Sequence, residues 1–185
     1  MRFRTVLGLL FVSVPLLACN LIAGTSPTVA PTLQPTSNST PLSIDARLQA
    51  ILPSLKTVSI PLRLPPSLDD FPHESKDALY VTVVQAEKDR YDLAITLQPD
   101  CPAHACTQGH LIGEVVTTTS LEGPSVALAN GVTGYYKALV CGANCSDGEL
   151  HWLENNVRYA VTMRGDDVGR LTKVANAILT LNAQH

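Results

Sequence analysis

The chain has 185 residues, a length suited to about one domain, with 13 Lys+Arg against 16 Asp+Glu and a formal net charge of −3. It contains no run of basic residues. That excludes the basic stripe of a nucleic-acid binder and the Lys/Arg cluster of an electrostatic lipid binder. Reading from the N-terminus, Arg2 and Arg4 make a positive start, and Val6 to Leu17 is an apolar stretch broken by Gly8, Ser13 and Pro15. A charged start, a short apolar run and a small residue at its end are the marks of a secretory signal peptide. The run is shorter than the roughly 20 residues that a membrane-spanning helix needs.

The run closes on Leu16-Leu17-Ala18-Cys19, which resembles the lipobox of bacterial lipoproteins. The resemblance implies that residues 1–18 are a signal peptide and that Cys19 carries the lipid of a protein anchored on the extracytoplasmic side of a cell membrane. The other readings are an ordinary cleaved signal beside an unrelated cysteine and an uncleaved anchor running on to Ala23. Cleavage removes Arg2 and Arg4 and no acidic residue, so the mature chain is more acidic and its membrane link is the lipid alone. From Gly24 to Pro41 nearly every residue is Pro, Ser, Thr or small. Such a segment has too little apolar surface to offset the entropy of ordering it. We read 19–41 as a lipid-anchored spacer and 42–185 as one globular extracytoplasmic domain.

Within the domain, Thr40-Pro41 or Ser43 can start a short helix with Ile44, Leu48, Ile51 and Leu52 on one face, ended by Pro53. Val58 to Leu64, interrupted by Pro61, suggests an edge strand or extended segment, and Asp69 to Asp77 a polar loop. Strands are expected over Tyr80–Val84, Tyr91–Leu97, Leu111–Thr119, Val126–Leu128, Val132–Val140, Glu149–Leu153 and Val157–Met163, from β-branched runs and alternation. Lys88-Asp89, Asn130-Gly131 and Asn155-Asn156 supply turns. A final helix places Val168, Leu171, Val174, Ala175, Ile178 and Leu179 on one face, capped by Asp166 or Asp167. Strands in sequence followed by a helix argue an α+β fold, an antiparallel meander packed by a C-terminal and a short N-terminal helix.

Four cysteines follow Cys19: Cys101 and Cys106, then Cys141 and Cys145. An even number in an oxidising compartment points to disulfides. By loop entropy a local pair contributes about 2 kcal/mol and a link between the clusters about 4. If Val126–Leu128 is a strand, an up-and-down meander places the two cysteine loops at opposite ends and favours the local pairs 101–106 and 141–145. The alternative is a zinc or thiol-redox site built on Cys101, Cys106, Cys141 and Cys145 with His104 or His110, since zinc sites accept C-x₂₋₄-C spacings.

No H-E-x-x-H, G-x-S-x-G, S-x-x-K or G-x-x-x-x-G-K occurs. No catalytic residue and no cofactor is therefore assigned. Asp69-Asp70 reads as a loop and Asp166-Asp167 as helix caps. His151 beside Trp152, and Tyr135 beside Tyr136, read as sheet packing with one of each pair pointing outward.

Cys101, Cys106, Leu128-Ala129-Asn130-Gly131, Gly134-Tyr135-Tyr136, Cys141 to Cys145, Leu150-His151-Trp152, Tyr159 and Ala175-Asn176 together resemble an uncharacterised family of exported bacterial domains, over roughly residues 80–182. The resemblance implies an α+β fold and brings no activity with it. The expected function is a non-enzymatic envelope module with a protein, glycan or small-ligand partner.

Overall fold

The computed structural model describes residues 44–73, 79–99, 101, 103–117 and 120–182. The signal segment, Cys19 and the spacer lie outside the described residues. Seven strands make one sheet: β1 (Tyr80–Glu87), β2 (Arg90–Thr96), β3 (Thr107–Val115), β4 (Ser125–Ala127), β5 (Thr133–Lys137), β6 (Gly148–Glu154) and β7 (Val157–Met163). Their order is β1-β2-β3-β7-β6-β5-β4, and every neighbouring pair is antiparallel. The fold is α+β with most of its ordered residues in strands.

One continuous meander is not what forms. Two meanders, β1-β2-β3 and β4-β5-β6-β7, meet where β7 pairs with β3. Four antiparallel steps separate β3 from β4, so the two run in the same direction. The connection between them must therefore cross β7, β6 and β5 and come back along the strands before β4 begins level with Ile112. Val157 and Met163 bound a strand that pairs on both sides, with Val115 and Gly109 in β3 and with Glu154 and Gly148 in β6. A strand paired on both sides buries its alternate residues most completely, as Tyr159 and Val161 show at 1 % and 0 % exposure.

Period-two alternation splits the sheet into two unlike faces. Leu93, Ile95, Leu111, Leu150, Trp152, Tyr159, Val161 and Met163 fill one. Helix α2 (Val168–Asn182) covers its β6–β7 half with Leu171, Val174, Ala175, Ile178, Leu179 and Leu181. Asp167 caps it, its side chain accepting from Arg170 N–H at 3.0 Å. Asp166 instead accepts from the Tyr136 hydroxyl and the Leu139 N–H. Val168, expected on the buried face, is exposed in the first turn. Asn176 and Asn130 tie the helix to the β4–β5 hairpin: Ala129 N–H donates to Asn176 Oδ1 at 2.7 Å, and Asn130 Nδ2 donates to Leu179 O at 3.0 Å.

The β1–β2 half is covered by the N-terminal segment. Helix α1 (Ala46–Ile51) starts later than expected. Its cap is Asp45, which accepts from Arg47 N–H at 2.9 Å and from Leu68 N–H at 3.2 Å. Pro53 does not end the helical path. It sits in the first turn of a 3₁₀ extension, Leu52–Leu55, where a missing N–H costs nothing. Residues 58–68 then run extended beneath the sheet without joining it. They are tethered by Arg63 N–H to the Tyr91 hydroxyl (3.1 Å) and by the Tyr159 hydroxyl to Pro61 O (3.0 Å). Burial pushes the Tyr159 phenol up to about 12 and the Tyr91 phenol higher still. Phe71, inside the stretch read as polar loop, is buried in this core at 1 % exposure.

Strand β3 begins at Thr107, four residues before the expected start, because Thr107 and Gln108 are buried polar residues that hide the pattern. The expected turns form. Asn155 and Asn156 both adopt positive φ, 50° and 64°, as a tight hairpin demands. Asn130 and Gly131 do the same at 59° and 74°.

Candidate functional site

Among the described residues no helix lies on the other face of the sheet. Its residues alternate with the core residues: Arg90 and Asp92 on β2, His110 and Glu114 on β3, Arg158 and Thr162 on β7, Glu149 and His151 on β6, Tyr135 and Lys137 on β5. Register brings the charges together. Arg90 pairs with Glu114 and Glu114 with Arg158 as direct cross-strand neighbours. The ion pairs follow, at 3.3 Å for Arg90–Glu114 and 2.6 Å for Arg158–Glu114. Arg158 also reaches Glu149 at 3.5 Å, and Glu149 faces His151 Nδ1 at 2.9 Å. One row of alternating charge thus crosses four strands.

The return from β3 to β4 passes over this row. Thr117, Ser120 and Glu122 of that connection, with Glu114, Arg158 and His151 of the sheet, bound a groove of about 520 Å³. Lys137 and Glu149 line it too, and they also line a second depression of about 350 Å³ toward Asp92, His110 and Asp147. The two depressions lie side by side and share these two residues.

His151 is 4 % exposed and stacks on Tyr135 with ring centroids 6.3 Å apart. Its Nδ1 approaches Glu149 off the N–H axis, so it makes no aligned hydrogen bond. His151 nevertheless holds the Glu149 carboxyl below the ordinary carboxylate range, with Arg158 and Lys137 adding to it against the opposing effect of burial. Among the described residues, three buried side-chain atoms lack a hydrogen-bond partner: Arg90 Nε, Arg158 Nε and His151 Nδ1. All three belong to this face. Orphaned buried polar groups are few in native proteins and cost free energy, so their concentration on one face marks it as the place where polar capacity is left unspent.

The cysteine loops sit at one end of the same face. Cys101 is bonded to Cys106 and Cys141 to Cys145. The pairs are local, but the expected reason for them does not hold. β4 is a strand, yet both loops fall at the same end of the sheet, because the β3–β4 connection returns along it instead of turning back as a hairpin. His104 of the first loop lies 3.5 Å from Asp147, just beyond the second. His110 pairs with Asp92 at 2.7 Å. His104 and His110, the two histidines singled out beside the cysteines, thus border one depression. Bonded in pairs, the four sulfurs offer no thiolate to zinc. Among the described residues no group of three or more His, Cys, Asp and Glu is arranged around a metal position.

No family model, curated protein or solved structure matches this chain. Its chemistry is therefore read from the groove. A hydrolytic site would need a hydroxyl or thiol hydrogen-bonded to a base. Among the described residues no hydroxyl is hydrogen-bonded to His151, whose one close polar contact is Glu149.

The acidic pairs are structural. Asp69 faces Arg47 at 3.5 Å and Asp70 holds Lys173 at 2.6 Å. Of the two adjacent pairs read as sheet packing, Tyr136 and Trp152 face the core, while Tyr135 and His151 share the other face and only His151 lines the groove. What sequence reasoning missed is that His151 is buried as well, covered by a connection whose path is invisible in strand periodicity. The available signal was charge: Lys137, Glu149, His151 and Arg158 occupy the outward phase of three strands.

Proposed function

We propose that this protein is an extracytoplasmic lipoprotein, anchored through Cys19 and held off the membrane by residues 24–41, whose domain binds a small polar ligand on the uncovered sheet face. The Leu-Leu-Ala-Cys ending, the Pro/Ser/Thr-rich spacer and the two disulfides, which suit an oxidising compartment, support the address. One observation carries the binding role. A seven-stranded sheet with one face given to the core keeps a charged groove on the other, and two of the three described orphaned buried atoms, Arg158 Nε and His151 Nδ1, belong to residues that line it. No non-polar core is served by that arrangement. It is a non-enzymatic module in this reading, since among the described residues no hydroxyl of the groove is hydrogen-bonded to His151.

Two measurements test it. Palmitate incorporation by the full chain in a bacterial host should be lost in Cys19→Ala, with the protein released from the membrane fraction. Labelling that persists in the variant overturns the anchor. Thermal unfolding of the purified chain against a panel of amino acids, organic acids, sugars and polyamines should single out a stabilising class. A ligand present at about 100 times its Kd adds about 2.7 kcal/mol. A panel that leaves Tm unchanged throughout counts against a small-ligand site.

A further inference from the structure

We infer that the Cys141–Cys145 disulfide is a thiol-exchange site, a surface two-electron acceptor that an external thiol opens and an external disulfide re-forms, while Cys101–Cys106 stays bonded. The site is separate from the groove, which no cysteine lines, and it stands whether or not the groove binds a ligand.

The two pairs differ in what surrounds them. Cys141 and Cys145 face one another across the tip of the β5–β6 hairpin. Backbone pairing closes that hairpin without them. Below the tip Lys137 pairs with Glu149, and three further register pairs run down to Gly134 and Trp152. Nearer the sulfurs, Ser146 N–H donates to Val140 O at 2.9 Å and Val140 N–H donates to Ser146 Oγ at 3.0 Å. Leu139 N–H donates to Asp166 Oδ1 at 3.1 Å, which fixes the outgoing arm to the approach to α2. The bond thus spans two arms that are already held together, and opening it frees only a short loop. Its sulfurs stay neighbours when reduced, which is what a reversible couple needs.

Exchange requires an attacking sulfur to reach the S–S bond, so its rate follows access. Every residue from Cys141 to Ser146 is exposed. Gly142 has open space where a Cβ would stand, its nearest neighbour being Asn144 O at 4.0 Å. Cys101 and Cys106 are half-buried. Cys101 lines a depression walled by Thr82, Ala94 and His110 of the sheet. Its loop is bound to the sheet end, with Leu97 N–H donating to Cys106 O at 2.9 Å and Arg164 Nη1 to Ala105 O at 2.9 Å. An incoming thiol meets the second pair in the open and the first against the sheet.

The chemistry balances with thiols alone. A thiolate attacks one sulfur of the pair, the Cys141–Cys145 bond breaks, and a mixed disulfide forms. The other sulfur leaves as a thiolate and takes up the proton that the attacking thiol gave up. A second thiolate attacks the mixed disulfide and releases the external disulfide. Two electrons and two protons pass from two external thiols to the protein, and the external disulfide reverses both steps.

The folded full chain in detergent micelles is exposed to reduced glutathione, its free thiols are blocked by alkylation at successive times, and it is digested with trypsin. Cleavage after Arg90, Lys137 and Arg158 puts the two pairs on separate peptides. We expect the peptide 138–158 to gain alkyl groups or a bound glutathione at least about tenfold faster than the peptide 91–137. Oxidised glutathione should return it to the bonded form. A reduced C-x-x-C protein at equal thiol concentration is the second arm, and the faster reductant identifies the source as a small thiol or a protein dithiol. Cys141→Ser with Cys145→Ser should remain folded, with cooperative unfolding, because backbone pairing closes the hairpin. Equal rates for the two pairs, or faster opening of Cys101–Cys106, overturn the inference. So do opening of Cys141–Cys145 only where the chain unfolds, reaction with neither reductant, and a double variant that fails to fold, which would make the bond a structural staple.

Discussion

The two faces of the sheet are made by the same seven strands and are opposites in chemistry. On the covered face Trp152 stacks on Tyr159 at 5.8 Å between ring centroids, and Leu111, Leu150 and Val161 are sealed beneath α2 and the N-terminal segment. One residue away in each strand, His151, Glu149, Arg158 and Glu114 form a charged row under a returning connection. The covered face supplies stability, since each fully buried large apolar side chain contributes about 1.5–3 kcal/mol. The open face supplies little, because partly exposed ion pairs are screened and add about 0–1 kcal/mol each. A strand that alternates can therefore carry a core and a site at once, and a change at one residue should be felt on one face only.

The sharpest way to break that contrast is to hollow out the covered side. Trp152→Ala should cost about 3–5 kcal/mol, the range for large aromatic truncations, read by chemical denaturation. A loss as small as that of an open-face variant would end the comparison. Next in size is the stapled end. Cys101→Ser with Cys106→Ser should cost about 2 kcal/mol from loop entropy, and it should broaden the resonances of His104 and Asp147, which that loop holds together. Glu114→Gln comes third. It leaves Arg90 and Arg158 without their shared carboxylate, for about 1 kcal/mol after screening. An effect approaching that of Trp152→Ala would make the charged row a structural element in its own right.

The smallest effect is a slope. The Glu149 carboxyl is held below its ordinary value of 4.5 in the folded chain, chiefly by His151. A depressed carboxylate contributes stability that is fully present above the unfolded value and is lost as pH falls through the folded one. Glu149→Gln should therefore lower Tm slightly at neutral pH and flatten its decline below about pH 4.5, so that the variant and the parent chain converge in acid. An unaltered acid limb would show that the carboxylate is not held by the row.

Much of the covered face was legible because periodicity and burial share one cause. Val157–Met163 alternates and is a strand over those bounds, and Asn155-Asn156 turns because asparagine tolerates positive φ. Phe71 was not legible, since a single aromatic among polar residues has no period to betray it. Thr107 and Gln108 misled for the converse reason, being polar and buried. Of the candidate site, Lys137, Glu149 and Arg158 could be placed on the outward phase. That they converge with His151 depended on which strands are neighbours.

Local chemistry alone determined the elements: where strands alternate, where Asn and Gly turn the chain, which face of the last helix is apolar, and that two cysteine pairs lie a few residues apart. Those properties rest on backbone sterics and on side chains within one turn or one pleat. Only the tertiary structure decided that β7 enters between β3 and β6, that the β3–β4 connection returns over the open face, and that both disulfide loops share one end. Strand order is set by the summed burial of residues distant in sequence, a quantity that no short window of the chain contains. The groove exists because of that order.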